Sequence, residues 1–142
     1  HDDFHADLFL HLIHAADSAA GASRAVAAAD RMAALAPGSP HLVHMPSHIY
    51  ARVGRYDEAA QVNEKAVAAD VALDEVQKTQ GFTASKDWRG HNTHFLWYAA
   101  LMQGRGDAAL SAARSTSCCS CSAPTCSCRS ASSSRSDGRR RW

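Results

Sequence analysis

The chain has 142 residues, 46% of them hydrophobic, with 15 basic and 14 acidic side chains, which is room for one domain or a few stacked repeats around a core. Residues 1–114 carry 10 basic and 13 acidic side chains, so the positive excess lies wholly in the last 28 residues. A nucleic-acid-binding body is disfavoured, because phosphate binding needs a clustered positive field on the folded part. The longest apolar run, Phe95 to Met102, is too short to span a bilayer, and no charged start followed by an apolar stretch reads as a signal peptide. The first residue is His1 rather than Met, which reads as a fragment and leaves the compartment undefined.

Residues 4–114 contain 27 Ala, with Gly and Pro only at intervals, and this predicts an all-α body without strands. A first helix carries His14 and ends near Gly21. Ser23 is placed to cap a second, running through Val26, Met32 and Leu35 to the stop at Pro37-Gly38. The next segment holds His41, His44 and His48, and here Pro46 is a local conflict: it removes a helix bond to Leu42, so the helix kinks or begins there. After a turn at Gly54 to Tyr56, Asp57 is placed to cap a helix through Ala59, Val62, Ala66 and Val67. A loop over residues 81–90, with Gly81, Trp88 and Gly90, precedes a helix bearing His91, Asn92 and His94. A turn at Gly104 to Gly106 then leads to a last helix ending near Arg114.

These segments repeat. Ala25 and Ala59 lie 34 residues apart, as do Met32 and Ala66, Ala16 and Tyr50, and His14 and His48. Gly54-Arg55-Tyr56-Asp57-Glu58-Ala59 recurs at an offset of 50 as Gly104-Arg105-Gly106-Asp107-Ala108-Ala109, with His41 and His44 matched by His91 and His94. The 16 surplus residues fall between Val71 and Gly90, to be held by a longer second helix and the loop with Gly81, Trp88 and Gly90. A period of 34 with small residues at helix crossings resembles the tetratricopeptide repeat, and the resemblance implies a helical solenoid of about three helix pairs over residues 1–114. The run from His44 to Tyr56, with Ile13-His14-Ala15 before it and His91 to Leu96 after it, is also similar to a narrower, largely uncharacterised bacterial family of such repeats. Its first segment departs from the family pattern, which leaves His5 and His11 outside the expected site. Members of that family are longer, which implies further repeats upstream.

The nine histidines carry the functional signal. His41, His44 and His48 share one helix face, and the resemblance implies that this face lines a concave groove together with His14, His91 and His94. Asp17 and Arg52 fall one turn further along that face. Three readings stand side by side. The imidazoles are structural, or they hold a transition metal (Zn, Cu or Fe) through His14, His44, His48 and His94 with Asp17 as ligand or supporting acceptor, or the groove binds a protein, peptide or small anion through Arg52 and Asn92. The binding or scaffold module is the leading expectation and the metalloprotein its alternative. No residue is assigned a catalytic role: Met45 stands where His-Glu-x-x-His needs its acid, and neither a phosphate loop nor a body cysteine is present. The geometric expectation is that His14, His44, His48 and His94 converge in one concavity.

From Ser115 the composition changes to ten Ser, five Cys and five Arg in 28 residues. Such a segment cannot repay its ordering entropy by burial and is expected to be disordered. Cys118, Cys119, Cys121, Cys126 and Cys128 have zinc-like spacing but lack the intervening hydrophobic residues of a zinc module, and a frameshift near Arg114 accounts for the composition better.

Overall fold

The computed structural model describes residues 2–18, 20–82 and 87–119, and every regular element among them is helical. The order is α1 (Asp2–Ala16), a 3-10 turn (Ala22–Ala25) that runs into α2 (Val26–Leu35), α3 (Pro40–His44), α4 (Pro46–Arg52), α5 (Tyr56–Thr79), α6 (Asp87–Met102) and α7 (Gly106–Cys119). Packing follows the chain: α1 on α2, α2 and α5 on the α3–α4 pair, α5 on α6, and α6 on α7. Among the described residues no helix is long and apolar enough to cross a membrane.

Alanine decides how close these helices come. Ala16, Ala25, Ala29, Ala59, Ala60 and Ala99 are all buried at the helix crossings, and the larger side chains Ile13, Met32, Met45 and Ile49 fill the space between them. The interior is not wholly apolar. His44, Ser47, Asn63, Asp70 and Asn92 are buried too, and each must find a partner or cost stability.

Pro46 kinks the chain without separating its two sides. It has no N–H for the Leu42 carbonyl, so α3 stops one residue before it. The ladder is then picked up on either side: Met45 N–H donates to His41 O at 3.0 Å, and His48 N–H to Met45 O at 3.2 Å. α3 and α4 therefore act as one bent rod.

The turn between α4 and α5 recurs between α6 and α7. Gly54 and Gly104 have φ of 80° and 71°, the left-handed region that glycine enters without penalty. Arg55 N–H donates to Tyr50 O at 2.8 Å and Arg105 N–H to Ala100 O at 2.9 Å, and the bonds from Ala59 to Arg55 O and Ala109 to Arg105 O match likewise. The offset of 50 read in the sequence is thus a structural equivalence at the turns.

Several local expectations are corrected. Ser23 caps nothing: it lies inside the 3-10 turn, and Ala25 precedes α2 with no side-chain cap. Asp57 sits within the first turn of α5 behind Arg55, whose Nε donates to Glu58 at 2.9 Å, so its charge serves the positive end of the helix instead of its cap. Trp88 and Gly90 belong to α6, not to a loop, whereas the longer second helix expected to hold part of the surplus is formed, α5 being 24 residues long. α7 continues past Arg114 to Cys119, with the Ser115 and Thr116 hydroxyls turned back onto Ser111 O and Ala112 O instead of capping or breaking the helix. The remainder of the Ser/Cys/Arg-rich segment, residues 120–142, lies outside the described residues.

Candidate functional site

The site forms where the bent α3–α4 rod meets α5 and α6. His44 and His48, four residues apart, still share a face across the kink, and their rings are 4.9 Å apart at 82°. α6 brings His91 to the same place, with its ring 4.7 Å from that of His44 and 6.0 Å from that of His48. One ring nitrogen from each of the three lies within 4.8 Å of the others. Phe95, one turn beyond His91, is wedged among them, 4.5 to 5.0 Å from all three rings, and closes the apolar side of the cluster.

The hydrogen bonds fix which nitrogens are bare. Asn63 on α5 donates its Nδ2 to Ala59 O at 2.7 Å, a carbonyl that can only accept, so its Oδ1 is the atom facing His44. At 2.7 Å that Oδ1 requires a proton on His44 Nδ1. Asp17, an acceptor when ionised, stands 3.0 Å from His48 Nδ1 and requires a proton there as well. Each neutral ring then has an unprotonated Nε2, and the two Nε2 atoms face each other at 3.0 Å. Two lone pairs at that distance repel unless a cation, a proton or a metal ion, lies between them.

Protonation is disfavoured here. Burial first of all, reinforced by the neighbouring imidazoles and opposed by the bond to Asn63, pushes His44 down to about 3. Burial also lowers His48, against the pull of Asp17, and lowers His91 and His41. The rings are therefore neutral in the physiological range, the state in which imidazole ligates metals. Tetrahedral coordination at about 2.0–2.1 Å sets ligand nitrogens roughly 3.3 Å apart, which the His44–His48 pair already approximates, while His91, within 4.8 Å, would have to close by at most about 1.5 Å. Asn63 and Asp17 supply the outer hydrogen bonds that orient ligating rings in metal proteins. Asp17 is itself held by Arg52, whose Nε donates to Oδ1 at 3.1 Å.

Of the residues expected from the sequence, His44, His48 and His91 come together, and Asp17 and Arg52 border them. His41 is half-buried, its ring 6.3 Å from that of His44, and stands between the cluster and His14. His14 is exposed and donates from Nδ1 to Leu10 O at 2.9 Å, and His11 is exposed too. His94 is exposed beside Trp97, at 5.3 Å between rings. The expected four-histidine convergence is therefore not formed: His14 and His94 fall outside the ligand group, and His91 fills the third place. Asn92 does not face a groove either; it is buried and donates from Nδ2 to Asp70 Oδ2 at 2.8 Å.

Sequence reasoning missed Asn63, Asp70 and Phe95. The signal for the first two was there: Ala59, Asn63, Ala66 and Asp70 recur at intervals of four, three and four, so two polar residues stand on the buried stripe of α5. A cavity of about 330 Å³ opens next to the cluster, sharing His48 and Phe95 with it and bounded further by Asp17, Arg52, His94 and Tyr98. No protein-family model, curated protein or solved structure matches the chain.

Proposed function

We propose that the protein is a metal-binding helical scaffold that holds a transition-metal ion on His44, His48 and His91. One observation carries this reading: two Nε2 lone pairs set 3.0 Å apart by acceptors on the opposite side of each ring, in surroundings that resist protonation. Three imidazoles without a carboxylate or thiolate suit Zn or Cu better than the two-His, one-carboxylate sites of non-haem iron. His44 and His48 supply the preset pair, His91 the third nitrogen, and Asn63 and Asp17 keep the rings in the ligating tautomer.

Metal analysis of untagged protein tests it. About one equivalent of Zn or Cu is expected, with the His44→Ala/His48→Ala double variant losing it and His14→Ala and His94→Ala retaining it. Wild-type protein that stays metal-free after incubation with excess Zn and Cu overturns the reading.

A second reading, a tetratricopeptide-type module that binds a protein or peptide partner, is favoured by the recurrence of the turn fifty residues apart. Exposed Tyr98, Leu101, Met102 and Leu110 on α6 and α7 support it as well. The two readings are compatible, since stacked repeats present both a concave face and an end face.

A further inference from the structure

The metal reading leaves a charge unaccounted for. Three neutral imidazoles give a divalent ion no compensating charge in a largely buried setting, and a three-ligand site keeps a position for an exogenous ligand. Asp17, which borders the cluster through His48, is already committed: Oδ2 accepts from His48 and Oδ1 from Arg52. The cavity shares His48 and Phe95 with the cluster and brings the Arg52 guanidinium, the His94 ring and the Tyr98 phenol to its wall. At about 330 Å³ it has the size of a small-metabolite pocket, and Phe95 and Ala51 give it an apolar side.

We propose that this cavity is the binding site for a small organic carboxylate that completes the metal centre. One carboxylate oxygen takes the ion's open position, Arg52 pairs with the anion, and its short carbon skeleton lies against Phe95 and Ala51. Arg52 suits the part, because its planar fork can keep Nε on Asp17 while the terminal nitrogens reach outward. The assignment rests on the metal reading, and its test separates the two.

The full chain is loaded with Co(II), whose visible d–d bands report its ligands, and titrated with acetate at constant ionic strength. Saturable change in the bands is expected in the wild type. Arg52→Ala should weaken acetate at least tenfold with cobalt stoichiometry unchanged, and Arg52→Lys should recover part of the loss. Ala51→Leu, which narrows the cavity without altering a ligand, should weaken acetate by a similar factor, and circular dichroism confirms that each variant is folded. If neither cobalt nor Zn nor Cu is taken up, the metal reading falls and this one with it. If cobalt binds but its bands ignore acetate, only the carboxylate assignment is overturned. Equal acetate affinity in the wild type, Arg52→Ala and Ala51→Leu would place the anion on the ion without the cavity, and would overturn the assignment as well.

Discussion

The α3–α5 unit and the α6–α7 unit share a turn and a glycine conformation, yet they treat equivalent histidines in opposite ways. His44 is fully buried against Asn63, whereas His94, fifty residues on, is exposed beside Trp97. Two differences account for this. α6 covers the α3–α4 rod and brings His91 and Phe95 onto it, and the place of Asn63 is taken by Ala113 in α7. An imidazole at this register becomes buried and oriented only where a following helix covers it and an acceptor fixes its tautomer. Position in the repeat is not enough.

The sharpest way to stress that contrast is acid. In metal-free protein the unfolded chain takes up protons near pH 6.5 that the folded cluster refuses, because burial holds His44 down to about 3 and lowers His41, His48 and His91. Stability is therefore full above pH 6.5 and falls as pH drops through that value toward the folded pKa. Urea unfolding should show a loss of stability between pH 6.5 and 4.5, to which His44 alone contributes about 2 kcal/mol. His44→Ala should flatten the profile; a profile as steep as the wild type's in that variant would break the contrast.

Exchange at the acceptor position comes next in size. Asn63→Ala removes the 2.7 Å acceptor of His44 Nδ1, leaving only Ser47 Oγ at 3.4 Å, and should cost about 1–2 kcal/mol by urea unfolding. Ala113→Asn adds the same acceptor to the unit whose histidine is exposed, and should change stability by less than about 0.5 kcal/mol. Comparable effects at the two sites would mean that tautomer control is not what separates the units.

The smallest effects test what the units share. A Cβ at Gly54 or Gly104 would meet no atom within 4 Å, so alanine there costs only the positive φ. Gly54→Ala and Gly104→Ala should each lose about 1 kcal/mol. A threefold disparity would show that the turns are alike in outline but not in energy.

The sequence made the helical class, the breaks and the His44–His48 pair legible, because glycine, proline and i,i+4 spacing act locally. It misplaced the third histidine for an identifiable reason. Matching by offset makes His94 the counterpart of His44, but the side of α6 that meets α3 and α5 is set by packing. Buried Asn92, Thr93, Ala99 and Ala100 mark that side, with His91 and Phe95 next to it, while His94, Tyr98, Leu101 and Met102 are exposed. Apolar Leu101 and Met102 on the exposed side blur the amphipathic pattern that would have shown the orientation. The roles of Ser23 and Asp57 were obscured by their neighbours, a 3-10 turn in one case and an Arg55–Glu58 pair in the other.

The buried hydrogen bond from Asn92 to Asp70 has a consequence for how the site can vary. It joins α5 to α6 one residue from His91, across the connection that leads from Thr79 to Asp87. Because it is formed in the interior, the distance between His91 and its partners is set by a strut between two helices and not by the contour length of the chain joining them. A change in the length of that connection would therefore leave His91 held against the cluster by the interior bond.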